Sequence, residues 1–121
     1  MTMRMLERQI GSVTVVDISG RIVLGEETAL LRSTIRDLIT RGKKSILLNL
    51  AQVPYIDSSG IGELVSAFVA VRREGGEVKL LNLTKKVRDV LQIVKVITIF
   101  DVFDNEAAAL SAFARQEKQA S

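Results

Sequence analysis

The chain has no cysteine, no histidine, a single proline and few aromatic residues. Without cysteine there is no disulfide and no thiolate metal site, a composition that suits a reducing cytoplasm. Without histidine the commonest general base and the commonest metal ligand are both missing, so Ser-His and Cys-His nucleophilic catalysis and most zinc chemistry are excluded. Any enzyme here would have to work with carboxylates, lysines and one tyrosine. Aromatic residues make up 4% of the 121, which removes the stacking platforms used on single-stranded nucleic acid. The longest apolar run, residues 64–71, carries Ser66 and falls far short of the roughly 20 residues that span a bilayer. Arg4, Glu7 and Arg8 interrupt the start, which therefore does not read as a signal peptide.

What is present fits one globular domain over residues 1–121, with 47% hydrophobic content and no low-complexity tract. A polar tail is expected to fray from about residue 115. The formal net charge of +3 is modest. Local basic groups at Arg72 and Arg73, and at Lys85, Lys86 and Arg88, read as solvated helix ends rather than a nucleic-acid surface. Asp17, Asp57 and Glu63 are scattered acids without paired-carboxylate spacing, and no glycine-rich loop ends in Lys-Ser or Lys-Thr. The composition therefore predicts no enzyme, no cofactor and no metal.

Residues 5–10 and 13–19 read as two strands joined at Gly11-Ser12, where glycine in first place suits a type II′ hairpin. An apolar connection, residues 20–25, leads to a helix that starts near the acidic pair Glu26 and Glu27 and stops at Gly42. Leu31, Ile35, Leu38 and Ile39 form its inward stripe. Residues 45–50 are almost continuously apolar, the mark of a central strand covered on both faces. A second helix over residues 60–73 presents Ile61, Leu64, Val65, Phe68 and Val69, and ends at Gly75-Gly76. Residues 78–83 are the next strand, parallel to the previous one through a right-handed crossover. Thr84 caps a third helix with Val87, Val90, Leu91 and Val94 facing in. Residues 95–100 read as a last strand, and Asp104 caps a fourth helix packed through Ala107, Leu110 and Ala114, with Phe113 filling a gap.

The junction between the central strand and the second helix, Tyr55-Ile56-Asp57-Ser58-Ser59-Gly60-Ile61-Gly62, is the place to look for function, because it lies at the carboxyl edge of a parallel strand. Asp57, Ser58 and Ser59 can each accept from the free N–H groups of a first helical turn. Ser59, deeper in that turn, reads as the cap. Gly60 and Gly62 each cost roughly 1 kcal/mol of helix propensity relative to alanine, so small residues must be favoured there. A helix N-terminus also accommodates a phosphate, free or esterified to serine.

Asp57-Ser58-Ser59-Gly60-Ile61-Gly62, preceded by Ile46-Leu47-Leu48-Asn49-Leu50 and Val53-Pro54-Tyr55-Ile56, resembles the signature of the anti-sigma factor antagonists, the small members of the STAS family. The resemblance covers about residues 5–114. It implies an α/β fold with a mixed four- to five-stranded sheet and about four helices, in the order β-β-α-β-α-β-α-β-α. It implies that Ser58 is phosphorylated by a partner kinase. It also implies that the unmodified protein binds an anti-sigma factor with serine kinase activity and releases a sigma factor, that phosphate on Ser58 ends the complex, and that a serine phosphatase resets it. The new charge beside Asp57 and near Glu63 would then repel an acidic partner surface. Asp57, Ser58, Ser59, Gly60, Ile61 and Gly62 become the contact. Many phosphorylated relatives carry an aspartate where this chain has Val23, and Glu26 and Glu27 are the nearest acids to replace it. The alternative is a STAS scaffold subunit of a transporter or signalling assembly that never carries phosphate. Either reading places the protein in the cytoplasm, without membrane insertion.

Overall fold

The computed structural model describes the backbone of residues 3–120 and the side chains of residues 3–115. Five strands, β1 (Arg4–Ile10), β2 (Val13–Ser19), β3 (Ser45–Gln52), β4 (Glu77–Leu81) and β5 (Val102–Phe103), alternate with four helices, α1 (Glu26–Thr40), α2 (Ser58–Arg73), α3 (Lys85–Ile93) and α4 (Glu106–Ala120). This is the expected order. The sheet runs β1-β2-β3-β4-β5. Among the described residues only the β1–β2 hairpin is antiparallel. Its turn places Gly11 at φ 59°, the left-handed first position a type II′ turn requires.

Side chains alternate across each strand, and the alternation sorts the core into two layers. Val16, Ile18, Ile46, Leu48, Leu50, Val78 and Leu80 face α1, α2 and α3, which contribute Leu31, Ile35, Leu38, Leu64, Val71, Val87 and Leu91. Val13, Val15, Leu47 and Leu81 face the other way and meet Ala109 and Phe113 of α4. The central strand is thus covered on both faces, as its apolar run predicts. Lys79 shares the α4 side and is 1% exposed. Its ammonium is held by Asp101 at 2.6 Å and stands 5.1 Å from the centre of the Phe113 ring.

Several expectations are corrected. Residues 95–100 do not form a strand. Lys95 takes φ 62° and leads into a single 3₁₀ turn, Val96–Ile99, which delivers Phe100 edge-on to Phe68 with ring centres 5.3 Å apart. The strand follows at Val102–Phe103, where β4 still has free groups: Leu80 N–H bonds Asp101 and Asn82 N–H bonds Phe103. In α2 the buried stripe is Ile61, Leu64, Ala67 and Val71, with Phe68 packed against it, while Val69 is exposed. Val94 ends α3 and is exposed. Among the described side chains of α4 the buried ones are Ala109, Ala112 and Phe113, whereas Ala107 and Ala114 face solvent. Asn105 rather than Asp104 caps that helix, its Oδ1 accepting from Ala108 N–H at 2.9 Å, while Asp104 lies 3.5 Å from Arg88. Of the expected polar tail, the side chains beyond residue 115 lie outside the described residues.

Candidate functional site

After β2 the chain does not leave the sheet at once. A register shift between Asp17 and Ser19 moves it along β3, so that Ser19 opposes Gln52 and Gly20 N–H bonds Gln52 O at 3.0 Å. Two residues later Ile22 pairs with Ile56 as an isolated parallel bridge, giving its N–H to Tyr55 O at 3.1 Å and accepting from Asp57 N–H at 3.3 Å. Ile22 and Ile56 are both buried, and this anchors the bridge in the core. The connection of residues 20–24 and the link of residues 53–57 therefore run side by side and arrive together at the start of α2.

Asp57 is the residue that closes this arrangement. It stands at the N-cap in an extended conformation, and its Oδ1 accepts from Gly60 N–H at 2.8 Å, satisfying one of the orphan donors of the first turn. Its Oδ2 accepts from Leu24 N–H at 3.0 Å, which ties the far connection to the helix. The cap is thus Asp57 and not Ser59, since an N-cap oxygen must stand just outside the helix, and α2 begins at Ser58. The carboxyl is held below the usual carboxylate range first by the Leu24 N–H and, against partial desolvation, by the amides of Gly60 and Ser59.

The other expected residues fall into distinct places. Ser58 is exposed at the first helical position, and among the described residues no hydrogen bond engages its hydroxyl. Ser59 is half-buried. Ile61 is 8% exposed and belongs to the core, so it shapes the site from beneath. The two glycines differ in kind. A Cβ on Gly60 would fall 2.3 Å from Ile22 O and 2.6 Å from Ile56 Cγ1, whereas one on Gly62 would meet nothing within 4 Å. Gly60 exists for internal packing, and Gly62 leaves the outer face of α2 open.

Glu63 is not a free charge, because Arg32 of α1 holds it at 2.6 Å. With Asp57 engaged by amides and Glu63 by a guanidinium, neither acid presents its full charge to an approaching partner. Glu26 and Glu27 line a shallow depression with Met3 and Leu30, and among the described residues neither makes an ion pair or hydrogen bond to the serine segment. Val23, where the resemblance leads to the expectation of an aspartate, is half-buried.

Sequence reasoning missed two features. Leu24 is 74% exposed, an apolar side chain beside the cap; its role comes from a backbone amide, for which the residue type gives no signal. Arg21 and Lys86 both stack on Tyr55, 5.3 and 5.4 Å from the ring centre. They are 65 positions apart in the chain, so only the fold brings them together. Among the described residues no cluster of three or more acidic or other metal-binding side chains is present, and no helix is long and apolar enough to cross a membrane.

Two outcomes are expected. Gly60→Ala lowers stability by about 1–3 kcal/mol, because backbone must shift to admit the methyl, while Gly62→Ala raises it by up to about 1 kcal/mol through helix propensity; urea unfolding of the pair checks this, and the opposite ranking contradicts it. The depressed Asp57 carboxyl contributes stability that is fully present above its ordinary value of 3.8 and is lost as pH falls from there through the lower folded value. Asp57→Ala, which costs about 1–2 kcal/mol at neutral pH, removes that part of the acid slope, as unfolding measured from pH 7 to pH 2 will show.

The sequence pattern of the STAS domain matches residues 5–109. An anti-sigma-B factor antagonist of Bacillus subtilis (strain 168) is 31% identical over 87 residues, covering 72% of this chain and 78% of that one. An anti-sigma F factor antagonist of Paenibacillus polymyxa is 28% identical over 101 residues, covering 82% and 85%. Among solved structures, the Bacillus cell fate determinant SpoIIAA in its phosphorylated form superposes with a TM-score of 0.71 at 20% identity, over 90% of this chain and 98% of that one. With its residue pattern, its curated relatives and its five-stranded sheet in agreement, the chain belongs to the STAS domain family, among the anti-sigma factor antagonists.

Proposed function

We propose that this protein is a partner-switching regulator whose state is set by phosphate on Ser58. Unmodified, it binds an anti-sigma factor that is also a serine kinase, and a sigma factor is set free. Phosphorylation of Ser58 ends that complex, and a serine phosphatase restores it. The observation that carries the reading is the position of Ser58: exposed at the first residue of α2, with its hydroxyl unengaged, on a scaffold built by Asp57, Ile22, Ile56 and Gly60. Two relatives are named as antagonists of anti-sigma factors, and a protein of the same fold has been solved in a phosphorylated form.

The physics of such a switch is local. A phosphate adds about −1.5 to −2 charge at neutral pH, and at a helix N-terminus it meets the positive end of the dipole. The fold tolerates it while the surface a partner reads changes sign. The protein acts by binding and not by turnover, and the open face at Gly62 lets a partner's backbone approach the serine closely.

Phosphopeptide mass spectrometry on the protein from its native cells under several growth conditions tests this. Trypsin cuts after Lys44 and Arg72, releasing one peptide with Ser45, Ser58, Ser59 and Ser66. Phosphate is expected on Ser58 in a condition-dependent fraction, with Ser58→Ala locked in the binding form. No phosphate in any condition, together with wild-type behaviour of Ser58→Ala, sinks the switch and favours the scaffold reading.

A further inference from the structure

The cations around the serine segment divide into two groups. Arg32 is paired with Glu63 at 2.6 Å, Lys85 with Asp89 at 2.8 Å, and Arg88 with Asp104 at 3.5 Å. Arg21 and Lys86 are exposed, and among the described residues neither meets a carboxylate. Both rest on the ring of Tyr55. A cation–π contact at an exposed site is worth only about 0.5–1 kcal/mol, and gathering two like charges around one ring opposes it. The pair lacks an anion.

The backbone places this pair on the same edge of the sheet as Ser58. Arg21 immediately precedes Ile22, whose N–H and C=O bond Tyr55 and Asp57. Because Ile22 and Ile56 point into the core, Arg21 and Tyr55 take the outward positions of the same bridge. Lys86 lies in the first turn of α3, and that turn is fastened to the link by the Thr84 hydroxyl, which donates to Val53 O at 2.9 Å. Ser58 follows Tyr55 by three residues. Three elements thus deliver two unneutralised cations and an exposed hydroxyl to one edge of the sheet.

We propose that Arg21 and Lys86 form the receiving site for the phosphate on Ser58, leaving the Tyr55 ring to hold it by charge-assisted hydrogen bonds. This rests on reading Ser58 as the phosphorylated residue, and it states how the modification is read out. Before phosphorylation the edge offers two unpaired positive charges to an acidic partner surface. Afterwards those charges are cancelled from within the chain, so the partner loses its counter-charges as well as meeting a new anion. The cradle holds the dianion flat against the edge, which explains how one modification at an exposed position alters a contact larger than itself.

The test uses the full chain with phosphoserine inserted at position 58 during translation, and a phosphorus-31 NMR titration of its second ionisation. That step ordinarily lies near about 6. It is expected below this value in the wild type, and R21Q/K86Q is expected to raise it by about half a unit or more, with each single variant giving part of the shift. K85Q, which removes a cation already paired with Asp89, is expected to leave it unchanged. Thermal melting of each variant confirms folding, and should the double variant melt early, the single variants carry the comparison. An unchanged ionisation in R21Q, K86Q and the double variant overturns the proposal, as does an equal rise in K85Q. Since no kinase is used, a negative result in cells on Ser58 phosphorylation and a negative result here are separate findings.

Discussion

One carboxylate, that of Asp57, fixes the two segments on which the site depends. Its Oδ1 closes the first turn of α2 through Gly60 N–H, and its Oδ2 holds Leu24 N–H from the connection that follows β2. The Leu24 contact adds to the Gly20 and Ile22 backbone bonds that hold the connection of residues 20–25 against the link, and the cap adds to the close packing at Gly60 that seats the first turn of α2. The buried Ile22–Ile56 bridge sets the spacing that lets one side chain reach both amides. The serine is then presented on a frame that owes nothing to the serine itself.

Packing enforces the same geometry. The first turn of α2 lies so close to Ile22 O that only glycine fits at position 60, and just past its far end Gly76 lies against Lys44 O in the same way. The helix is therefore pinned at both ends by backbone-to-glycine contacts, and its outward surface is free to vary. Ser58 and Gly62 belong to that outward surface, whereas Gly60 and Ile61 belong to the pinned side. A phosphate on Ser58 can change what a partner meets without straining the contacts that hold the helix. The Arg32–Glu63 pair between α1 and α2 adds little stability at the surface, but it offsets a negative charge on the same helix as Ser58.

Much of this frame was legible in the sequence. The continuous apolar run of β3 marks a strand covered on both sides, glycines at 42 and 75 mark helix ends that require positive φ, and the Asp-Ser-Ser-Gly-Ile-Gly stretch carries the resemblance to the family whose pattern matches residues 5–109. What could not be read depends on contacts distant in the chain. The run at residues 95–100 is apolar without a period, so it could not be told from a strand until Phe100 was seen against Phe68. The buried face of α4 shifted because Phe113 is the side chain that fills the layer over Leu47 and Leu81. By residue type Asp57, Ser58 and Ser59 could each cap, and Ser59 read as the cap; the helix instead begins at Ser58, which leaves Asp57 at the N-cap with its second oxygen drawn to the Leu24 amide, 33 residues away. Val65 and Val69 matched a helical stripe whose phase was set instead by Ile61, Leu64 and Val71.

The Asp57 frame is expected to stand independently of the state of Ser58. Amide hydrogen exchange at Leu24 and Gly60, compared between unmodified protein and protein carrying phosphoserine at 58, measures this. Equal protection at both amides is expected in the two forms, with differences confined to exposed groups around the serine. Loss of protection at Leu24 or Gly60 on phosphorylation would show instead that the frame itself opens.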